Sequence, residues 1–354
     1  MKSYKSLLAK IKLFAYKFSF NKLVTILFKL TSSLLVKPVL TPQNKLLKKS
    51  GKNKPFYIVL TVDAESGYVE SNEKRLWQVN HPDLYQGFYF GINNWLDLLN
   101  RQKVKASFML SSQCFSATGK ERKFINQQLS KIITGNHELG YHLHPRSDQS
   151  LEKILGEKLK FTSAKFYSVR EIDNLLKAAR YLLNKNLGEK INQQVISFRW
   201  GNFGLYKHAL DLLTKNGFLI DSSVCPAKKG HQFDDKIFDW SKITHPFPYI
   251  SQDGLLEIPV TTFKIFNKVL LVDPLNHLFL EQAFLKYWQL NNASKQPFFF
   301  VMLSHTSEGT DKIGRPTKVI QTMQNFIKKV KQFDNVEFIT LKQAYEIYHA
   351  QRSV

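Results

Sequence analysis

The sequence has little cysteine, no long uninterrupted apolar run and, over its first 54 residues, no acidic side chain at all. The two cysteines, Cys114 and Cys225, stand too far apart to form a metal-binding or redox motif, and such sparse cysteine is compatible with a reducing compartment. The apolar run that begins near residue 24 is interrupted by Lys29 and ended by Lys37 and Pro38. It is therefore too short and too charged to predict a membrane span.

The net charge of +23 is mainly a property of the N-terminal arm and linker, residues 1–54. This segment holds 13 lysines and no arginine, whereas the rest of the chain carries 38 basic and 28 acidic side chains. A nucleic-acid-binding surface would be expected to use arginine and to alternate aromatic with basic residues. Residues 1–54 show neither feature, so we expect no nucleic-acid partner.

Residues 1–36 predict two amphipathic helical segments with lysines beside their apolar faces. Leu7, Leu8, Ile11 and Phe14 begin the first apolar face, and a second one follows after Asn21. A lysine-rich amphipathic arm suits an anionic leaflet, where each lysine contributes about 1 kcal/mol. Packing on the chain's own domain or on a partner is the alternative. We expect a cytoplasmic protein that is peripheral on the inner face of the membrane.

From residue 55 to 350, strand-like and helix-like patterns alternate, which predicts one α/β barrel-like domain with parallel strands. The first strand is the β-branched and aromatic run Phe56–Val62. A capping box at Ser168 and Glu171 opens a long amphipathic helix that Gly188 ends. Further strands are predicted at 104–110, 195–198, 218–221, 255–260, 298–303 and 336–339, and further helices at 95–100, 124–133 and 319–330.

Chemically active side chains follow these strands. Asp63 and Glu65 come directly after the first strand and share one of its faces, since they are two residues apart. The segment Gly135–Pro145 places His142 and His144 on one face of a short strand in the same way. Arg199 and His305 follow two later strands. Because the carboxyl ends of parallel strands meet at one edge, we expect these six residues to lie together.

This set of residues predicts metal-assisted hydrolysis. Two imidazoles and a carboxylate are the ligands of a divalent cation with an open position, which lowers the pKa of a bound water towards about 7. A free carboxylate can then accept a proton, and a histidine opposite can protonate the leaving group. Ordinary polar residues at strand ends are the alternative, favoured for a single histidine and disfavoured for a pair.

The order of these motifs resembles the polysaccharide deacetylase family, also called the NodB-homology or carbohydrate esterase 4 group. Similar motifs are Thr61–Glu65, Lys105–Phe108, Gly135–Pro145, Phe198–Phe203 and Leu303–His305. The resemblance spans about residues 56–345. It implies a distorted (β/α)7 barrel that removes N- or O-acetyl groups from sugars with a divalent metal, usually Zn²⁺.

Carried over position by position, the resemblance makes Asp63 the general base, Arg199 the residue that orients it, and His305 the general acid. It makes Glu65 and His142 metal ligands. Two departures matter. The usual adjacent pair of aspartates is here Asp63 and Glu65, separated by one residue. The usual second histidine falls on Arg146, which cannot bind a metal, so we predict that His144 is the substitute ligand.

We also expect Trp200, Phe203 and Glu308 to contact the substrate, with a solvated loop position as the alternative for Glu308. His137 lies on the opposite register and is expected to be structural. The implied substrate is an acetylated sugar of a bacterial surface polysaccharide or its lipid-linked precursor. Because the metal motif is altered, a catalytically silent relative that binds glycan or scaffolds an assembly complex is the second hypothesis.

Overall fold

One long buried strand, β1 (Phe56–Ala64), lies at the centre of the protein in a computed structural model. The structure describes residues 54–69, 84–232, 235–265 and 268–352. Every residue of β1 except Tyr57 is buried, as is typical of a central strand covered on both faces. The arm and its expected helices fall outside the described residues, so the arm and its boundary with the domain stay predictions.

Twelve further strands occur in the described residues. They are β2 (Ser107–Leu110), β3 (Glu138–Leu143), β4 (Ser197–Trp200), β5 (Ile220–Asp221), β6 (Lys229–Gln232), β7 (Asp235–Asp239), β8 (Tyr249–Ile250), β9 (Leu256–Glu257), β10 (Thr262–Ile265), β11 (Lys268–Leu271), β12 (Phe299–His305) and β13 (Val336–Ile339). Nine of the thirteen form one sheet in the order β12-β1-β2-β3-β4-β5-β9-β8, with β13 also on β1. All neighbours in it are parallel except the β8–β9 pair.

The sheet curls so that its far end returns towards β12. Thr261, four residues beyond the end of β9, donates its backbone N–H to Val301 O over 3.0 Å. The Thr261 hydroxyl accepts from the N–H of Val301 over 2.9 Å. One residue thus joins the two ends of the sheet by backbone and side chain, which gives a distorted, incompletely paired barrel.

Helices connect the parallel strands and cover the sheet. They are α1 (Ile92–Gln102), α2 (Gly119–Thr134), α3 (Gln149–Leu155), α4 (Val169–Leu187), α5 (Glu189–Gln194), α6 (Leu210–Lys215), α7 (Leu280–Ala293), α8 (Lys318–Val330) and α9 (Leu341–Ala350). A short π-helix, Gly87–Gly91, leads directly into α1. The capping box at Ser168 is present at the start of α4, with both reciprocal hydrogen bonds formed.

The core fills the barrel and is closed at its amino end by α9. Val59, Met109 and Val301 from the strands belong to the same buried cluster as Leu341 and Ala344 of α9. The cluster therefore extends from the central strands to the last helix. This arrangement leaves the carboxyl ends of the strands as the edge where polar groups can gather.

The predicted α/β barrel with parallel strands is confirmed, and most predicted elements differ from the observed ones only at their ends. The hairpins β6–β7 and β10–β11, the strand β8 and the helices α5, α7, α9 and α3 were not predicted. The last of these helices is capped by Asp148, whose carboxylate accepts from the N–H groups of Ser150 and Leu151. Among the described residues, no helix is both long enough and apolar enough to cross a membrane.

Candidate active site

Strand register brings the predicted residues together. In the β1–β12 pair Asp63 lies opposite His305, and in the β3–β4 pair His142 lies opposite Arg199. Glu65 directly follows β1 and His144 directly follows β3. The edge of the sheet therefore collects six chemically active side chains that are spread over some 240 positions of the sequence.

Glu65, His142 and His144 converge on one point. Oε1 of Glu65 lies 2.7 Å from Nε2 of His142 and 2.9 Å from Nε2 of His144. All three side chains are buried, and one ligand atom from each falls within 4.8 Å of the others. The His144 ring needs the space beside Gly201, where a Cβ would lie 2.5 Å from its Cγ.

The tautomer of His142 indicates that a cation fits between these three groups. Its Nδ1 lies 3.2 Å from the carbonyl oxygen of Arg199, which can only accept, so Nδ1 is assigned the proton. In the neutral ring, Nε2 then directs a lone pair at a carboxylate oxygen of Glu65. Two lone pairs facing each other require a proton or a cation between them. A ring N–H on a backbone carbonyl is also the usual second contact of a metal-binding histidine.

Glu65 is held in its ionised form. Burial by itself would raise the pKa of this carboxyl, but with a proton on the facing nitrogens the imidazoles of His144 and His142 lower the pKa well below its usual range. An ionised, buried carboxylate flanked by two imidazoles is a ligand set of the kind that binds zinc and similar divalent ions.

Asp63 is fixed by an ion pair on one oxygen only. Nη1 of Arg199 donates to Oδ1 of Asp63 over 2.6 Å and to the Thr61 hydroxyl over 2.9 Å. The rest of the guanidinium donates to Ser222, through Nε to the carbonyl and through Nη2 to the hydroxyl. The other oxygen, Oδ2, faces the site, 3.6 Å from Nε2 of His142 and 4.0 Å from Nε2 of His305.

His305 forms the accessible wall of the site. Its side chain retains 29% exposure, whereas that of Asp63 retains 3%. Nδ1 of His305 lies 2.9 Å from Oε1 of Glu308, whose other oxygen accepts from the N–H of His305 and the Ser304 hydroxyl. Burial opposes a charge on the ring, but the Glu308 carboxylate outweighs it and raises the pKa of His305 to about 10.

Two of the three predicted substrate contacts, Trp200 and Glu308, are not available to a substrate. Trp200 is fully buried and its indole N–H donates to the Thr162 carbonyl, so its ring presents no surface to a substrate. Glu308 is neither a solvated loop acid nor a free substrate contact, because its carboxylate is buried against His305. Phe203 is partly buried and its φ of +56° is unusual for a non-glycine residue; its substrate contact stays a prediction.

Two other residues from the histidine motif lie away from the ligand cluster. Arg146 is exposed in the 3-10 turn Pro145–Ser147. His137 is buried at the amino end of β3, where its Nδ1 accepts from the N–H of Ala106. Thr61 lies in the first motif and Glu308 is among the predicted substrate contacts, but their hydrogen bonds to Arg199 and His305 were not predicted, nor was that of Ser222 to Arg199. Each of these contacts forms only in the folded barrel.

Solved structures with the same fold are found at low sequence identity. The chain resembles two provisionally assigned polysaccharide deacetylases. For the one from Mycobacterium smegmatis the TM-score is 0.53 at 17% identity, over 86% of this chain and 93% of that one. For the one from Pseudomonas aeruginosa PAO1 it is 0.54 at 15% identity, over 88% and 98%. PuuE allantoinase is as similar, with a TM-score of 0.53 at 14% identity over 88% and 98%.

No family model matches the sequence, and no curated protein matches it either. The structural similarity covers nearly the whole of each related chain. The domain therefore has the polysaccharide deacetylase fold, as the motif order predicted. A deacetylase and an allantoinase resemble it to the same degree, so the fold alone does not give the substrate.

Proposed function

We propose that this protein is a metal-dependent hydrolase that removes an acetyl group from an N- or O-acetylated sugar of a surface polysaccharide or its precursor. The observation that carries the proposal is the joint placement of Glu65, His142 and His144 beside two further catalytic candidates, Asp63 and His305. Two imidazoles and one carboxylate suit Zn²⁺. When bound there, such an ion would supply Lewis acidity for a water molecule and for the acyl carbonyl.

Asp63 is placed to act as the general base. Arg199 neutralises and orients Oδ1, which leaves Oδ2 free to accept the proton of the attacking water. Thr61 and Ser222 hold the guanidinium in turn, so the base is fixed by a network of hydrogen bonds from all three guanidinium nitrogens. A preorganised base of this kind needs little rearrangement when the reaction begins.

His305 is placed to act as the general acid. Glu308 accepts the Nδ1 proton and stabilises the imidazolium, so Nε2 carries a proton at neutral pH and can donate it to the departing sugar nitrogen or oxygen. Nε2 also faces Oδ2 of Asp63. The proposed base and acid thus face the same part of the site, 4.0 Å apart.

The proposal is tested by acetate release from acetylated chito-oligosaccharides and acetylated xylan. The chain would be stripped with chelator and then supplied with Zn²⁺, Co²⁺ or Ni²⁺. We expect acetate release that disappears on stripping, returns with metal, and is lost in Glu65→Ala and His142→Ala. Allantoin serves as the competing substrate. Metal binding without any acetate release would instead support the silent glycan-binding relative, and turnover of allantoin alone would refute the carbohydrate proposal.

We further propose that residues 1–36 hold the enzyme on an anionic membrane surface, near a lipid-linked or surface glycan. The support is the 13 lysines and absent acids of residues 1–54. The full chain should sediment with vesicles that contain phosphatidylglycerol and remain free of purely zwitterionic vesicles. Binding that is unchanged when residues 1–36 are removed would refute this role.

A further inference from the structure

Thr306, the residue after β12, continues the pairing between β12 and β1. Its backbone N–H donates to the carbonyl of Asp63 over 2.9 Å. The residue is fully buried and stands between His305 and the turn Ser307–Gly309, which carries Glu308. Thr306 therefore joins the segment with the candidate acid to the segment with the candidate base.

The Thr306 side chain also binds the backbone of Glu65. Its hydroxyl accepts from the N–H of Glu65 over 3.0 Å and donates to the carbonyl of the same residue over 3.1 Å. One hydroxyl thus satisfies both main-chain polar groups of Glu65, which lies just beyond the last ladder residue of β1. A buried Glu65 backbone without this hydroxyl would be left with two unpaired groups.

The π-helix Gly87–Gly91 lies in close contact with the backbones of Glu65 and Thr306. A Cβ added at Gly87 would lie 2.1 Å from the carbonyl oxygen of Glu65, and one added at Gly91 would lie 2.2 Å from that of Thr306. Trp95 in α1 donates its indole N–H to the carbonyl of His305 over 3.2 Å. Single turns of π-helix are rare and are often found at functional sites.

From these contacts we infer that Thr306 is a positioning residue for Glu65: its hydroxyl fixes the direction in which the Glu65 carboxylate meets the two histidines. The inference rests on the proposed function only in taking Glu65 as a ligand of a divalent cation. It adds a residue outside the ligand set whose loss should weaken metal binding. A contact of this kind typically changes metal affinity about 10- to 100-fold.

The test compares Thr306→Val, which keeps the shape of the side chain and loses the hydroxyl, with Thr306→Ser, which keeps the hydroxyl. Thr310→Val is the matched control, since Thr310 is equally buried and its hydroxyl bonds only within its own loop. Co²⁺ affinity is read from the visible absorption of the bound ion. We expect a loss of about 10- to 100-fold for Thr306→Val and, for Thr306→Ser and the control, affinities close to wild type.

A second readout does not depend on metal. Hydrogen exchange at the Glu65 amide is measured in the metal-free protein, where Thr306→Val should exchange at least about tenfold faster and Thr310→Val should not. Unchanged Co²⁺ affinity or unchanged Glu65 exchange in Thr306→Val would overturn the inference. Wild-type protein that binds Co²⁺ and releases no acetate would refute the proposed function alone, since both readouts remain measurable.

Discussion

Two buried glutamates, one at each end of the barrel, have opposite surroundings. Glu138, at the amino end of β3, accepts from the hydroxyls of Ser107 and Ser197 and from the backbone N–H of Lys342 in α9. Each of these donors has a proton to give, and the Ser107 hydroxyl also accepts from the N–H of Leu341 in α9. The carboxylate is fully paired and ties the last helix to the sheet.

Glu65, at the carboxyl end of β1, meets two imidazole nitrogens instead of hydroxyl or amide donors. The ring of His142 already gives its one proton to a backbone carbonyl, so the contact with Glu65 is complete only with an added proton or cation. Both carboxylates are buried and differ in the chemical type of their partners. Burial alone therefore does not distinguish a candidate metal ligand from a structural carboxylate.

The largest difference between the two sites is expected from the paired variants Glu65→Gln and Glu138→Gln. Glu65→Gln removes a ligand charge, so metal affinity should fall by more than about 100-fold and activity with it. Glu138→Gln leaves a donor facing donors and should lower the free energy of unfolding by about 1–3 kcal/mol. Metal titration and urea unfolding measure the two effects.

Folded Glu138→Gln should retain wild-type metal affinity, and Glu65→Gln should lose little stability in the metal-free state. The comparison fails if both variants lose metal equally, or if Glu65→Gln unfolds as easily as Glu138→Gln. Either result would mean that the two carboxylates do not divide into a metal ligand and a structural group.

Asp63→Asn is expected to have the next largest effect, and to separate catalysis from metal binding. An amide cannot accept the proton of the attacking water, so kcat should fall about 10²- to 10⁴-fold while metal affinity stays within a few-fold. Asp311→Asn is the control, because it also removes a carboxylate paired with an arginine, Arg315, but away from the site. Equal kcat values for Asp63→Asn and wild type would exclude Asp63 as the base.

Glu308→Gln should give a smaller loss, together with a shift of the pH profile. The Glu308 carboxylate raises the pKa of His305 to about 10, and a general acid works only while it is protonated. Without that carboxylate the pKa falls, so the alkaline limb of kcat should move to lower pH and kcat should drop about 10- to 100-fold. A KM change with an unmoved pH profile would indicate a substrate contact instead.

The positions of the candidate site residues could be predicted because strand patterns are local. The run Phe56–Val62 identifies β1 from its composition alone, and a spacing of two places Asp63 with Glu65, and His142 with His144, on shared faces. Parallel barrels then bring strand ends together whatever their separation in sequence. The placement of His144 beside Glu65, predicted in place of the missing histidine at Arg146, followed from the same geometry.

The supporting contacts could not be predicted, because they depend on turns and registers that sequence patterns do not encode. Glu308 reaches His305 only because Ser307–Gly309 folds as a 3-10 turn. Trp200 follows Arg199 in β4, and alternation along the strand directs its ring away from the site into the core. The hairpins β6–β7 and β10–β11 were missed for a related reason: their strands of four or five residues are too short to show a clear period.

The smallest expected effect concerns His137, the neighbour of Glu138 at the amino end. Burial, together with the charge of Lys105, lowers the pKa of His137 to about 4, and its Nε2 has no hydrogen-bond partner. The unfolded chain takes up this proton below about pH 6.5, before the folded protein does. Stability from this residue is therefore complete above that pH and is lost as the pH falls towards 4.

Between pH 7 and pH 5 this loss should reach at most about 2 kcal/mol in the free energy of unfolding. His137→Gln removes the titrating group, so its urea-unfolding curves should depend less on pH in that interval. His245→Gln, which changes an exposed histidine, should keep the wild-type slope. A slope that both variants share with wild type would show that the amino end tolerates a charge, and that the contrast between the two ends of the barrel is weaker than their hydrogen bonds indicate.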